Sequence, residues 1–223
     1  MEDAVAAIDA GATHLGFNFY SKSPRYLTPA SCVKIQSAIT RSGRQSAIQT
    51  IGLFVNDSPS TIAAILNDCG LDLAQIHSDD SSEQLRPLWG RFYKAFRGTA
   101  DGKDFANYAV LSSSAPALLV DAHVPGAYGG TGQRADWEAA RSIAARYPIF
   151  LAGGLTPDNV AAAIEQVQPW GVDVASGVES APGKKDHTKM RAFIKMAREL
   201  GSKGAGEKLF TPLLPSSLLS EKS

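Results

Sequence analysis

Seven short runs rich in apolar, β-branched and aromatic residues recur along the chain, and each is separated from the next by a segment of helical periodicity. The runs are HLGFNFY (14–20), IQTIGLFV (48–55), LDLAQIH (71–77), RFYKAFR (91–97), ALLVDA (117–122), PIFLAG (148–153) and WGVDVAS (170–176). The helical segments are EDAVAAIDA (2–10), 29–41, 58–69, 81–89, a weak one near 101–109, 135–147, 156–167 and 186–200. Strands that are apolar on both faces, alternating with helices, predict a parallel sheet covered by helices. A doubly wound sheet and a (β/α)8 TIM barrel both satisfy that pattern. The even spacing, with no second domain, favours the barrel.

Eight helices and seven strands do not match, since a barrel of this kind closes with eight of each. The alternation begins on a helix, so the unmatched strand is expected in front of Met1. The expectation is therefore an α/β barrel, truncated at its N-terminus so that the chain starts at the first helix. Residues 1–200 form the barrel domain, and 201–223, rich in Gly, Ser and Pro, form a disordered tail. Helix-end signals agree. Ser58-Pro59 and Thr156-Pro157 read as an N-cap followed by proline at the first helical position, and Gly11, Gly70 and Gly201 as C-terminal caps.

Composition narrows the class of function. Lys+Arg and Asp+Glu balance at 22 each, with no basic run, which argues against nucleic acid or an anionic membrane surface as a partner. Apolar runs stay well short of a membrane span, and no signal peptide is visible, so the expected location is the cytoplasm. The two cysteines, Cys32 and Cys69, fall inside predicted helices and imply no disulfide framework.

In such a barrel the chemistry lies at the carboxyl ends of the strands and in the loops that follow them. After the first run, SKSPRYLTP carries Lys22 and Arg25. It is either a solvated basic loop or a carboxylate clamp, to which the planar fork of Arg25 is suited. His77 closes the third run, as a hydrogen-bonded wall residue or a substrate-positioning group. Asp121 stands near the carboxyl end of ALLVDA, which precedes HVPGAYGGTGQ, whose glycines 126, 129, 130 and 132 suit a ligand-hugging loop or a lid. An acid beneath such a flap suits a general base, whereas a helix cap is the bland alternative. Gly153 and Gly154, then Ser176 and Gly177, follow the last two runs. There they either make tight turns or present amides to a phosphate.

Together FNFYSKSPRYLTP, GLFVND, LAQIH, LLVDAHVPGAYGGTGQRADW, LAGGLTPDNV and VDVASGVESAPGKKDH resemble the phosphoribosylanthranilate isomerases of tryptophan biosynthesis, in order from Glu2 to about Leu200. The resemblance implies a single-domain barrel, a monomer or homodimer, acting on a phosphorylated sugar–anthranilate conjugate without metal or organic cofactor. The implied reaction is the Amadori rearrangement of N-(5-phosphoribosyl)anthranilate to 1-(2-carboxyphenylamino)-1-deoxyribulose 5-phosphate. It implies Asp121 as the catalytic base and Arg25 as the contact to the anthranilate moiety. Gly130 lies in the flap, and Gly153, Gly154, Ser176 and Gly177 lie in the phosphate loops. His77 matches the family's QLHG segment, read here as QIHS with Ser78 in place of glycine.

The family's general acid is a cysteine of a K-x-C-G-[IL]-T motif on the first strand, just before the EDA-type helix at which this chain begins. Cys32 and Cys69 do not occupy that position. The resemblance thus predicts an isomerase whose acid lies upstream of Met1. A catalytically silent phosphosugar-binding barrel is the alternative, and another phosphate-binding barrel isomerase or epimerase a third.

Overall fold

The computed structural model describes residues 1–43, 48–97, 105–112, 116–122 and 136–204. Seven parallel strands run in sequence order: β1 (His14–Asn18), β2 (Gln49–Val55), β3 (Leu73–His77), β4 (Phe92–Arg97), β5 (Leu118–Asp121), β6 (Ile149–Ala152) and β7 (Gly171–Val172). Eight α-helices alternate with them: α1 (Glu2–Ala10), α2 (Pro29–Arg41), α3 (Pro59–Cys69), α4 (Ser82–Leu85), α5 (Phe105–Ser112), α6 (Trp137–Ala144), α7 (Val160–Val167) and α8 (His187–Gly204). The expected seven strands and eight helices are present. Among the described residues no ladder joins β1 to β7.

The sheet is nevertheless rolled. Laid flat, β1 and β7 would lie about 29 Å apart, six strand spacings. Instead the imidazole of His14, at the start of β1, stands 5.1 Å from the Phe150 ring on β6 and 5.6 Å from Trp170 beside β7. At the opposite rim Arg25, after β1, reaches Glu179, after β7. On the outer layer α1 packs on α8, and His187 bonds Asp3 at 2.7 Å. Aromatic edges at one end and an ion pair at the other thus draw the two free edges together.

Alternation along each strand sorts the core into two layers. Ile51, Leu73, Tyr93, Ala95, Leu119 and Phe150 cluster inside the roll. Leu118, Val120, Ile149 and Leu151 face outward against Ala140, Ile143, Val160 and Ala163 of the covering helices. A second outer cluster seats Phe54, Ala74, Ile76 and Phe92 against Ile62, Leu66 and Leu85.

Several helix ends follow their local chemistry. Thr28 and Ser58 accept from Ser31 N and Thr61 N at 3.2 Å, with proline opening each helix. Gly11 and Gly70 take positive φ at the C-termini of α1 and α3. Four expectations are corrected. The segment 81–89 is not one helix, because Pro87 has no N–H to continue the ladder and a 3₁₀ turn, Arg86–Leu88, replaces it. Thr156 does not cap α7, which starts at Val160. The Asn159 side chain makes the local bonds instead, accepting from Thr156 N at 2.8 Å and donating to Gly154 O at 3.0 Å. Gly201 does not end α8, which continues to Gly204. The seventh strand is two residues long, and beyond it the chain forms an unexpected hairpin, β8 (Glu179–Ala181) with β9 (Lys184–Lys185).

Candidate active site

The carboxyl ends of the strands converge on one mouth. Inward-facing positions follow from parity with the inner cluster: Gln75 and His77 on β3, Arg97 on β4, Asp121 on β5, Ala152 on β6 and Asp173 just past β7. Arg97 pairs in register with Asp121, and Asp121 with Ala152. The expected base therefore stands inside the roll at its C-terminal end. The glycine loop after it, including Gly130, lies outside the described residues.

His77 shares this mouth. Its pKa is pushed down to about 4, chiefly by burial and then by the positive charges of Arg97 and Lys94, with Asp121 opposing. The imidazole is therefore neutral near pH 7. Its Nε2 lies 2.9 Å from Gln75 Oε1, which has no hydrogen to give, so Nε2 carries the proton. Gln75 is itself buried, and its amide nitrogen donates to Tyr93 Oη at 3.0 Å and to Asp173 Oδ2 at 3.4 Å. Burial raises the Asp173 pKa, the Gln75 bond and the Lys185 charge oppose that rise, and the charge of Asp121 adds to it.

The loops after β6 and β7 are in contact. Gly153 (φ 102°) and Gly154 (φ 66°) both lie in the left-handed region that side chains avoid. Ser176 and Gly177 open a 3₁₀ turn, and a Cβ on Gly177 would overlap the Leu155 carbonyl oxygen. The two loops can meet only because position 177 has no side chain.

Arg25 is placed differently from a free clamp. Its Nε and Nη2 donate to the two carboxylate oxygens of Glu179 at 2.7 and 2.6 Å. Lys185 adds a contact to Glu179 at 3.0 Å. Burial works against the Glu179 charge, but bonds and charge from Arg25 and Lys185 outweigh it and hold the carboxyl at about 2. Beside this pair, a Cβ on Gly183 would come within 2.7 Å of the Pro24 carbonyl oxygen, so the hairpin turn presses on the Arg25 loop.

Cys32 and Cys69 lie together in the helical layer, both buried, and burial raises both thiols, that of Cys32 to about 12. Neither is a thiolate at neutral pH, and neither belongs to the mouth. Gln75, Tyr93, Asp173 and Glu179 escaped the reading of the sequence. The signal available was a polar residue at inward parity inside an apolar run, as in LDLAQIH and WGVDVAS.

A rolled parallel sheet with ionisable groups inside its carboxyl mouth and two touching glycine loops beside them defines a (β/α)-barrel protein with its chemistry at that mouth. The family described as N-(5'phosphoribosyl)anthranilate (PRA) isomerase matches residues 1–196. The chain belongs to this family. The N-(5'-phosphoribosyl)anthranilate isomerase of Trichlorobacter lovleyi is 44% identical over 201 residues, covering 89% of this chain and 93% of that protein. The crystal structure of phosphoribosyl anthranilate isomerase from Thermotoga maritima superposes with a TM-score of 0.74 at 34% identity, covering 89% of this chain and 94% of the other. A further isomerase structure, in complex with reduced 1-(o-carboxyphenylamino)-1-deoxyribulose 5-phosphate, gives 0.71 at 32% identity over 89% and 93% of the two chains.

Proposed function

We propose that the mouth of the roll carries the Amadori rearrangement of N-(5'-phosphoribosyl)anthranilate in tryptophan biosynthesis, with Asp121 as the base. Family membership makes the protein an isomerase. The observation that carries the residue assignment is the placement of Asp121 at inward parity on the C-terminal end of β5, in the field of His77.

The chemistry runs in three steps. An acid protonates the furanose oxygen, the C1′–O bond breaks toward that oxygen, and the anthranilate nitrogen lone pair forms the C=N bond. Asp121 then takes the C2′ proton, the C–H electron pair becomes the C1′=C2′ bond, and the C=N π pair returns to nitrogen, which gives an enolamine. The enol hydroxyl finally loses its proton as C1′ gains one, which leaves the ketone. Cys32 and Cys69 do not supply the acid, since both thiols are buried in the helical layer.

Gly153, Gly154, Ser176 and Gly177 hold the phosphate in this reading. The positive φ values of the first two and the bare Cα of Gly177 let two loops and their amides crowd one ligand. Among the described residues, the amides of Gly153 and Gly154 take no backbone acceptor. His77 orients the sugar as a neutral acceptor. Arg25 lies beside the anthranilate end, its guanidinium oriented by Glu179. The substrate is thus a phosphorylated small molecule. Among the described residues no helix is long and apolar enough to cross a membrane, which accords with a cytoplasmic location.

The purified full-length gene product, incubated with N-(5'-phosphoribosyl)anthranilate, is expected to yield the ketose phosphate, followed by chromatography. Binding of the reduced product analogue without turnover would instead favour a silent phosphosugar-binding barrel. A Gly177→Ala variant should part the two loops and lower affinity for the reduced analogue by about tenfold, read by calorimetry. Unchanged affinity would remove Gly177 from the phosphate site.

A further inference from the structure

Inside the roll, the Gln75 carboxamide is bonded on three sides: Tyr93 Oη at 3.0 Å, Asp173 Oδ2 at 3.4 Å and His77 Nε2 at 2.9 Å. We propose that Asp173 is a positioning residue that acts through Gln75 to hold His77 in the tautomer with its proton on Nε2 and a bare Nδ1 acceptor. For its consequence in catalysis, the proposal rests on the reading of His77 as a sugar-orienting group.

Donors and acceptors around the amide decide its orientation. A carboxamide has two possible orientations, and its neighbours choose between them. Asp173 Oδ2 accepts from the NH2 of Gln75, which leaves Oε1 for His77. An imidazole meeting Oε1 must place its proton on the nitrogen that faces it. Turned over, Gln75 would set Oε1 against the Asp173 carboxylate and offer NH2 to His77, which would move the imidazole proton to Nδ1. Asp173 is thus connected to His77 by two hydrogen bonds that share one rigid amide plane.

Burial restricts the alternatives. Gln75 is 5% exposed and Tyr93 1%, so bulk water does not compete for the amide from that side. Burial also keeps the Tyr93 phenol protonated, its pKa raised well above the usual range. Tyr93 therefore accepts from Gln75 without imposing a charge. A phenol can accept or donate, so Tyr93 does not by itself distinguish the two ends of the amide, and Asp173 Oδ2 is the partner placed to hold its NH2 end.

The relay is read without substrate by two-bond 1H–15N correlation spectra of the full chain labelled at histidine nitrogen. His77 should show a protonated Nε2 and an unprotonated Nδ1 at pH 7.5. Asp173→Asn, whose amide donates as readily as it accepts, should turn that single pattern into a mixture or the opposite tautomer. Gln75→Glu, which keeps an acceptor against Nε2, should preserve the Nε2–H form. Should Asp173→Asn fail to fold, Asp173→Ala, which leaves the Gln75 NH2 without that acceptor, is expected to give the same loss of the single Nε2–H pattern. Affinity of Asp173→Asn for the reduced product analogue should fall by about five- to tenfold.

A His77 tautomer untouched in Asp173→Asn, or lost in Gln75→Glu, overturns the proposal. So does a changed tautomer with unchanged analogue affinity. Absence of turnover in the parent protein would count against the isomerase reading alone, since tautomer and analogue binding are both measured without catalysis.

Discussion

An Asp121→Asn variant is expected to lose about 10²- to 10⁴-fold in kcat, the range a single positioned acid–base group contributes. Asparagine keeps the size and the hydrogen-bonding plane of the side chain but cannot accept a proton from carbon. The register of β5 places this residue inside the mouth beside Arg97 and Ala152, so the substitution leaves the backbone ladder untouched. Affinity for the reduced analogue should stay within about threefold, because the lost interaction belongs to the transition state. Single-turnover rates with calorimetry on the same sample separate the two quantities. A variant that still turns over at more than a tenth of the parent rate would remove Asp121 from the base role.

The second large effect concerns stability. Glu179 sits with its side chain 4% exposed between Arg25 and Lys185, on a segment 154 residues away from Arg25. It joins the loop after β1 to the chain after β7, across the two edges that no ladder connects among the described residues. Removing one partner of a buried ion pair leaves the others desolvated and unpaired, at about 3–5 kcal/mol. Arg25 and Lys185 keep partial access to water, which reduces the expected loss in Glu179→Ala to about 2–3 kcal/mol, or about 5–10 °C in Tm. Adding Arg25→Met should recover part of it, since the interaction then disappears from both sides. Purely additive losses, or a loss below about 0.5 kcal/mol, would show that the pair does not hold the edges together.

The same groups set the acid limb of stability. The Glu179 carboxyl is depressed from 4.5 to about 2 in the folded protein, so the unfolded chain takes up its proton first as pH falls. Its contribution is complete above about pH 4.5 and fades toward pH 2. His77 acts in the same direction at higher pH. Its folded pKa of about 4 lies below the ordinary 6.5, so stability drains between those values as the unfolded imidazole protonates. Urea unfolding at pH 7, 5 and 3.5 should therefore show a steady decline. In Glu179→Gln the part below pH 4.5 should be shallower.

Local chemistry in the sequence carried much of this arrangement. Short apolar runs between helical segments are sufficient to locate all seven strands, because burial on both faces leaves few polar positions in a parallel sheet. Asp121 is legible for the same reason, as a charged residue ending an otherwise apolar run. Helix ends are legible where one residue decides them, as at Ser58 and Gly70, and not where neighbours compete, as at Thr156, where the Asn159 side chain takes over. Long-range partners leave no local trace. Nothing near Arg25 announces Glu179, so the guanidinium reads from sequence as free for a ligand. Gln75 and Asp173 were visible as polar residues inside strand runs. Their link to His77 appears only once the roll brings β3, β4 and β7 around one interior.

In the proposed reaction a carboxylate at the mouth abstracts the C2′ hydrogen as a proton, and a proton is later delivered to C1′. Unlabelled N-(5'-phosphoribosyl)anthranilate turned over in D2O tests it directly, with the ketose phosphate examined by mass spectrometry and NMR. Proton transfer predicts one deuterium incorporated at C1′, at a rate that collapses in Asp121→Asn. A product free of solvent deuterium at C1′ and formed at an unchanged rate in Asp121→Asn would contradict abstraction by this carboxylate.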